Sequence, residues 1–262
     1  MTTAAEYPYF DDPPLALAHR GGAEYAPNRG IENTMAAFHN AVELGYRYLE
    51  TDVHATSDGH LIAFHDNRLD RVTDGQGRIA TLPWSVVRTA RINAAEPIPE
   101  LTELFVAFPD IRVNIDIKAP GALLPLWHAI REHGAQDRVC VGSFSNRRLT
   151  AFRRLAGPRV ATAAGHIGTA ALRFAPGWVS AMLHSPAQVL QIPVTHTIRG
   201  RTIQLVTPRL VGTAHQLGKQ VHVWTIDDPQ EMTQLLDLGV DGIVSDRIDT
   251  LRDVLTARRQ WR

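Results

Sequence analysis

The sequence lacks several features that would point to particular classes of protein. Its 262 residues include one cysteine, Cys140, so no internal disulfide can form, and the apolar run RVCVGSF around it predicts a buried strand. No stretch approaches the roughly 18 consecutive apolar residues of a membrane-spanning helix. Lysine plus arginine and aspartate plus glutamate both number 27. The resulting net charge of zero gives no electrostatic footprint for nucleic acid.

The sequence also lacks a recognisable targeting segment. MTTAAEYPYFDDPP has no basic stretch followed by an apolar run, so it does not resemble a secretory signal. We therefore expect a cytoplasmic protein without stable membrane insertion, and the oligomeric state stays open. The composition, 44% apolar and 21% charged, is that of a globular protein able to bury a large core.

What the sequence does contain is a repeated joint, in which a helix ends in glycine and a short apolar strand follows. The clearest joints are at Gly45, Gly134, Gly218 and Gly239. Strand candidates lie at 15–18, 47–52, 111–117, 138–143, 159–163, 188–192, 220–225 and 241–245. Their nearly continuous apolar character is typical of parallel strands covered on both faces. Eight such strands alternating with helices predict a (β/α)₈ TIM barrel, and no early G-x-G-x-x-G turn supports an open dinucleotide-binding sheet.

We expect one domain over 1–262, with its core at about 15–256 and two additions. The Asp58-Gly59 turn predicts a β-hairpin arm after strand 2, pairing position 54 with 63 and position 52 with 65. That pairing returns His65 to the level of Asp52. The polar segment at about 67–98 then predicts a small insertion with one short helix near 83–90.

Charged side chains collect where the predicted strands end, which in such barrels is where functional groups lie. His19 and Arg20 follow the first strand. Glu50 and Asp52 end the second strand and point the same way, because side chains alternate along a strand. Further along, IRVNIDIK places Asp116 and Lys118 on one face. Three carboxylates without a thiolate suit a hard cation such as Mg²⁺ or Ca²⁺, and the neighbouring cations suit a phosphate.

The motifs HRG, ENT, E-T-D-V and HD, in this order, resemble the glycerophosphodiester phosphodiesterase family of TIM-barrel enzymes. The later D-I-K, GSF, VWT and SD fit the same pattern, so the resemblance runs from about Leu17 to Leu255. It implies metal-dependent hydrolysis of a small glycerophosphodiester to sn-glycerol 3-phosphate and an alcohol. The alternatives are a lysophospholipase D-type phosphodiesterase acting on long-chain substrates, or a catalytically silent barrel that binds phosphodiesters.

The resemblance also implies roles for particular residues. It makes His19 and His65 the acid–base pair. One divalent cation, Mg²⁺ or Ca²⁺, would be held by Glu50, Asp52 and Asp116. Contacts to phosphate or substrate would come from Arg20, Lys118 and Trp224. Two features stay open: the family usually has glutamate where this chain has Asp116, and Glu32-Asn33 fits either a helix start or a direct role in the site.

Overall fold

The computed structural model describes residues 3–174, 185–198 and 200–262. Its strands are β1 (Leu15–His19), β2 (Tyr48–Ala55), β3 (Leu61–Ala63), β4 (Arg91–Ile92), β5 (Glu96–Pro97), β6 (Arg112–Ile117), β7 (Val139–Gly142), β8 (Ala161–Thr162), β9 (Val189–Ile192), β10 (Thr195–Ile198), β11 (Arg201–Gln204), β12 (Gln220–Val223) and β13 (Gly242–Ser245). Its helices are α1 (Met35–Glu43), α2 (Trp84–Val87), α3 (Leu101–Ala107), α4 (Leu123–Glu132), α5 (Asn146–Ala156), α6 (His166–Phe174), α7 (Pro208–Gln216), α8 (Pro229–Asp237) and α9 (Ile248–Ala257).

The parallel strands form a barrel. Hydrogen-bonded neighbours follow the order β8-β7-β6-β2-β1-β13-β12-β9, and a parallel bridge between Ala163 and Val189 brings the two ends of this order together. Each of the eight ranges predicted from the sequence overlaps one of these strands, although β1 and β2 extend beyond their predicted ends. The prediction of a TIM barrel is therefore confirmed, with helices packed around the sheet.

Capping explains where several of the surrounding helices begin. Thr207 and Asp228 accept hydrogen bonds from backbone N–H groups in the first turns of α7 and α8, and a proline follows each cap. Both helices are followed by a glycine with positive φ, Gly218 at 65° and Gly239 at 88°. Residues other than glycine rarely adopt this conformation, so the chain turns there into the next strand.

The register between neighbouring strands decides which polar residues meet at the carboxyl ends. Glu50 on β2 lies beside His19 on β1. Two residues further along β2, Asp52 lies beside Asp116 on β6. The barrel mouth, by which we mean the carboxyl ends of the parallel strands, therefore receives these four side chains at nearly one level.

Residues 3–12 cover the opposite end of the barrel. Tyr9 and Phe10 are buried in a cluster that also contains Leu17 and the predicted buried Cys140. Asp11 accepts hydrogen bonds from two arginines at strand starts, Arg47 at 2.8 Å and Arg112 at 3.1 Å. This segment, called the arm below, thus closes the amino ends of the strands.

The predicted hairpin forms, but the predicted register is wrong by one residue. Position 54 pairs with 62 and position 53 with 63. The cause is the loop: the amide of Thr56 bonds the carbonyl of His60, so three residues form the loop where two were expected, and Gly59 takes a φ of 94°. Phe64, one residue earlier than predicted, lies opposite Asp52, its amide donating to the Asp52 carbonyl at 2.9 Å.

The insertion has a small apolar core of its own. A helix forms at Trp84–Val87, inside the predicted range, and a two-stranded ribbon joins β4 and β5. The buried residues of this core come from the hairpin and the insertion together: Ile62, Phe64, Leu69, Ile79, Val87, Ala90, Ile92 and Ile98. The insertion is therefore packed onto the hairpin, which fixes the segment that follows His65.

Within the described ranges, the longest apolar helices fall short of what a bilayer crossing requires.

Candidate functional site

Three carboxylates lie at the barrel mouth, on adjacent strands. Glu50, Asp52 and Asp116 are each at most 9% exposed. Burial and the charge of Asp52 together raise the pKa of Glu50 to about 7. Burial also opposes ionisation of Asp52, but Lys118 and Arg20 outweigh it and lower the Asp52 pKa. The predicted metal ligands thus lie on two neighbouring strands, and Glu50 and Asp52 differ in their tendency to ionise.

The Lys118 ammonium occupies the space between two of these carboxylates. Its Nζ lies 2.8 Å from Asp52 Oδ1 and 2.7 Å from Asp116 Oδ2. Burial lowers the pKa of Lys118, yet the charges of Asp52 and Asp116 more than compensate and raise it. The lysine therefore stays charged and supplies the positive charge that the buried carboxylates require.

Arg20 reaches the same carboxylates from the end of β1. Its backbone N–H donates to Glu50 Oε2 at 3.1 Å, and its Nε lies 3.2 Å from Asp52 Oδ2, at ion-pair distance but without hydrogen-bond geometry. Arg20 has a φ of 50°, a conformation that residues with a Cβ seldom adopt. Such strain is typical of functional sites, where surrounding contacts hold the residue in place.

Glu32 and Asn33 contact charged residues of the barrel mouth, and neither of them caps α1. Glu32 accepts a hydrogen bond from Arg20 at 3.2 Å. The Asn33 amide donates to Asp52 at 3.2 Å and accepts from Thr51 at 2.8 Å. The residue that caps α1 is the next one, Thr34. Both residues therefore hold charged groups of the mouth, and the start of α1 is capped by Thr34.

His19 is held by a carboxylate that follows β13, the strand next to β1 in the barrel. Its Nδ1 lies 2.8 Å from Asp246 Oδ1, just after β13, and its Nε2 lies 3.8 Å from Glu50 Oε2. Burial lowers the pKa of His19, but the charge of Glu50 and the hydrogen bond with Asp246 exceed this effect and raise it. His19 thus directs one ring nitrogen into the carboxylate cluster.

His65 has the same arrangement with a carboxylate next to it in sequence. Its Nδ1 lies 2.6 Å from Asp66 Oδ1, and its side chain is 32% exposed. His54 contacts the backbone that carries His65, because its Nε2 lies 3.2 Å from the His65 carbonyl oxygen. Burial lowers the pKa of His54, so its ring is neutral and suited to this role.

The oxygen atoms at the barrel mouth fit a divalent cation in part. Within the described part of the chain, no three histidine, cysteine, aspartate or glutamate side chains are gathered as a ready metal site. However, Asp116 Oδ1 is buried and lacks a hydrogen-bond partner. An orphaned carboxylate oxygen, beside a second carboxylate and an ammonium group that already acts as counter-charge, fits a hard cation.

The two sides of the mouth differ in polarity. On the hairpin side, an open cavity of about 480 Å³ is lined by His65, Lys118 and charged residues of segment 66–71. On the other side, Trp224 meets Phe144 edge to face at 5.5 Å, and Phe144 is 52% exposed. Lys118 Nζ lies 5.5 Å from the Phe144 ring centroid. Phe144 thus lies between Trp224 and Lys118 and links the tryptophan to the charged residues of the mouth.

Three residues of the site were not predicted: Asp246, Asp66 and Arg71. Asp246 directly follows the last barrel strand, so the strand-end rule that placed His19 and Arg20 could have found it. Asp66 was noticed only as part of the HD motif. Arg71 lies in the insertion, where polarity alone gave no signal, yet it bonds both Asp66 and Glu32.

Known proteins resemble the chain over most of its length. Residues 19–250 match the model of the glycerophosphoryl diester phosphodiesterase family. The chain is 43% identical over 253 residues to the "Probable glycerophosphodiester phosphodiesterase 2" of Mycobacterium tuberculosis, covering 94% of this chain and 92% of that one. It is 28% identical to a human lysophospholipase D, covering 91% of this chain and 85% of that one.

Solved structures share the fold. The chain is similar to an Oleispira antarctica phosphodiesterase solved in complex with its product sn-glycerol-3-phosphate, with a TM-score of 0.77. The alignment covers 93% of this chain and 97% of that one at 24% sequence identity. At that identity the likeness supports the barrel architecture.

Proposed function

Since the chain belongs to the glycerophosphoryl diester phosphodiesterase family, we propose that its barrel mouth hydrolyses glycerophosphodiesters by acid–base catalysis between His19 and His65. The products are sn-glycerol 3-phosphate and an alcohol. The observation that carries the proposal is the matched anchoring of the two histidines: each ring presents Nδ1 to a carboxylate, Asp246 or Asp66. Each Nε2 is then available to exchange a proton with a substrate at the mouth.

The chemistry divides between the two imidazoles. One histidine takes the proton from the attacking hydroxyl while the oxygen of that hydroxyl bonds to phosphorus. The other gives a proton to the departing alkoxide as the old P–O bond breaks. The attacking hydroxyl belongs either to water or to the neighbouring hydroxyl of the glycerol, in which case a cyclic phosphate forms first. Observation of a transient cyclic glycerol phosphate by ³¹P NMR would distinguish these routes.

Cationic groups would neutralise the phosphate. Arg20 and Lys118 lie beside the carboxylates and are suited to bind phosphate oxygens. We propose that Glu50, Asp52 and Asp116 hold one divalent cation, Mg²⁺ or Ca²⁺. Such an ion supplies positive charge to a phosphoryl oxygen and acidifies a bound hydroxyl. Release of Lys118 from its two carboxylates would free its ammonium group for the substrate.

Turnover of a simple glycerophosphodiester, with and without EDTA, tests the proposal. We expect EDTA-sensitive release of glycerol 3-phosphate. His65→Ala should lower kcat by about 100-fold or more while cation binding, measured by calorimetry, stays unchanged. Asp116→Ala should instead weaken cation binding. His60→Ala is the matched control, because His60 lies in the same hairpin but pairs with Glu100 at 2.9 Å, away from the mouth.

Two results would contradict the proposal. The first is near-normal turnover by His65→Ala. The second is the absence of glycerol 3-phosphate release by the wild-type protein across a panel of choline, ethanolamine, glycerol and inositol diesters with Mg²⁺ and Ca²⁺ supplied in parallel.

A lysophospholipase D activity is the second candidate, and the exposed Phe144 beside Trp224 favours it. Apolar surface next to a phosphate-binding lysine can accept an acyl chain. The polar cavity on the hairpin side favours small head groups instead. A series of diesters with growing acyl length separates the two: kcat/KM that rises with chain length, and falls in Phe144→Ser, indicates the long-chain substrate.

The cytoplasmic location expected from the sequence stays a prediction.

A further inference from the structure

Arg71 joins two carboxylates that belong to different parts of the mouth. Its Nε donates to Asp66 Oδ2 at 2.5 Å, and its Nη2 lies 3.3 Å from Asp66 Oδ1. Its Nη1 and Nη2 donate to the two oxygens of Glu32 at 3.2 and 2.6 Å. A planar guanidinium with several fixed donors is the side chain best suited to hold two carboxylates in one geometry.

Each of these carboxylates also holds a predicted site residue. Asp66 lies 2.6 Å from Nδ1 of His65, and Glu32 accepts a hydrogen bond from Arg20 at 3.2 Å. Arg71 is therefore the middle member of a chain of charged contacts that runs from one proposed acid–base histidine to a proposed phosphate ligand.

His65 depends on such support more than His19 does. His19 is the last residue of β1, and the backbone amide of its partner Asp246 donates to Asp227 Oδ1 at 2.8 Å. His65, by contrast, lies two residues beyond the end of β3. Without strand pairing at that position, side-chain contacts must fix the imidazole and its partner carboxylate.

The protonation of Asp66 determines which nitrogen of His65 carries the proton. Burial raises the pKa of Asp66, but hydrogen bonds from Arg71 and His65 outweigh it and lower the pKa. An ionised carboxylate only accepts hydrogen bonds. Nδ1 of His65 must then be the donor, and Nε2 of the neutral ring keeps its lone pair.

We propose that Arg71 is a positioning residue for His65, which fixes the Asp66 carboxylate so that the imidazole keeps its proton on Nδ1 and directs Nε2 toward the substrate phosphate. The catalytic meaning of this role rests on the proposed function. The role itself is a property of the free protein and can be measured without turnover.

Stability alone does not account for this arrangement. The Arg71 side chain is 48% exposed, and exposed ion pairs contribute little to folding. Arg68 offers a direct comparison, since it is also 48% exposed, lies in the same segment, lines the same cavity and pairs with Asp70 at 2.9 Å. Asp70 touches neither histidine in the contacts that the structure describes, so Arg68 has no route to His65.

The test compares Arg71→Gln with Arg68→Gln. Long-range ¹H–¹⁵N NMR of the metal-free protein reports which ring nitrogen of neutral His65 carries the proton. We expect the Nδ1–H tautomer in the wild type and in Arg68→Gln, and a mixture of both tautomers in Arg71→Gln. With a glycerophosphodiester as substrate, kcat of Arg71→Gln should fall about 10- to 100-fold, as for other outer-shell partners, while KM changes less than about threefold. Arg68→Gln is the control for the tautomer alone, because Arg68 lines the cavity beside His65.

Arg71→Lys provides the rescue, because it retains the charge but loses the fork of donors. It should recover part of the lost kcat and part of the tautomer preference, and it carries the test if Arg71→Gln fails to fold. An unchanged tautomer in folded Arg71→Gln, an unchanged kcat of that variant, or an equal tautomer change in Arg68→Gln would each overturn the proposal. If the wild-type protein hydrolyses no glycerophosphodiester, the proposed function fails, while the tautomer measurement still decides the role of Arg71.

Discussion

Glu50 is a residue whose charge is unfavourable where it stands. Its carboxyl group has an ordinary pKa of 4.5, and burial, with the charge of Asp52, raises the pKa to about 7 in the folded protein. The folded state therefore holds the proton more tightly than the unfolded state does. Stability should fall as pH rises from about 4.5 to about 7, and the loss should persist above that range.

Glu50→Gln should therefore stabilise the metal-free protein at pH 8 while removing a proposed metal ligand. We expect its free energy of unfolding to exceed that of the wild type by about 1–3 kcal/mol at pH 8, and the advantage to vanish near pH 4.5. Urea denaturation in EDTA at the two pH values measures this. Asp66→Asn should show the opposite sign at pH 8, since the pKa of Asp66 is lowered in the folded state. A less stable Glu50→Gln at pH 8 would contradict the argument.

At the same scale, the sequence predicted residues whose place depends on local alternation. Glu50 and Asp52 follow from two-residue spacing on one strand, and Asp116 from the register of its neighbour. Asp246 and Arg71 act through contacts over 227 and 39 residues of chain, to His19 and Glu32. No periodicity links such pairs: the strand-end rule could have placed Asp246 at the mouth, but only the folded arrangement pairs it with His19 and brings Arg71 to Glu32.

At the scale of elements, β12 carries a histidine into the barrel interior. His222 is fully buried, its Nε2 lies 2.8 Å from Gln220 Oε1, and its Nδ1 lacks a hydrogen-bond partner. Burial lowers the pKa of His222 from 6.5 to about 3. Between those pH values the unfolded chain binds a proton at His222 that the folded chain does not bind. Stability therefore falls as pH falls through this window.

His222→Gln should accordingly reduce the acid sensitivity of the fold. Between pH 6.5 and 4.5 the wild type should lose about 2–3 kcal/mol more stability than the variant, at about 1.4 kcal/mol for each pH unit. Urea unfolding at both pH values measures the difference. His215→Gln is the control, because His215 is 43% exposed and bonds Asp241 at a strand start. Equal acid losses in wild type and His222→Gln would show that the buried ring is not the cause.

The elements themselves were predictable to a different degree than their registers. Apolar runs and glycine joints are local signals, and all eight barrel strands were predicted. The hairpin register was wrong because the Asp58-Gly59 pair suggested a two-residue loop, whereas the bond from Thr56 to His60 encloses three. Loop length depends on backbone conformation, which a dipeptide signal does not determine. The apolar core of the insertion was not predicted either, since it forms only when the insertion packs against Ile62 and Phe64 of the hairpin segment.

At the scale of the whole molecule, the arm joins distant parts of the chain. The Tyr48 hydroxyl donates to the Tyr9 carbonyl at 2.7 Å and accepts from the Asp11 amide at 3.2 Å. The Tyr9 hydroxyl is buried without a partner. A buried group of this kind costs about 1–3 kcal/mol when unsatisfied, whereas a satisfied one contributes about 1 kcal/mol.

Tyr9→Phe and Tyr48→Phe should therefore act in opposite directions. Removal of the Tyr9 hydroxyl should raise the free energy of unfolding by about 1 kcal/mol, while removal of the Tyr48 hydroxyl should lower it by about 1–2 kcal/mol. Thermal or urea unfolding of the two variants measures this, and each serves as the size-matched control for the other. Destabilisation by Tyr9→Phe would mean that its hydroxyl has a partner, such as a buried water.

The arm also has a consequence for the order of events during synthesis. The Ala4 amide bonds the carbonyl of Gly218, and the Tyr7 hydroxyl bonds the carbonyl of Pro158. On the ribosome, residues 4–12 emerge long before those partners exist. The Ala4 amide lacks its partner until 218 residues have been translated, and the Tyr7 hydroxyl lacks its partner until 158 have been. The arm is translated first, yet it is among the last parts of the chain to complete its native contacts. A nascent chain would expose aromatic side chains of the arm to chaperones for most of its synthesis.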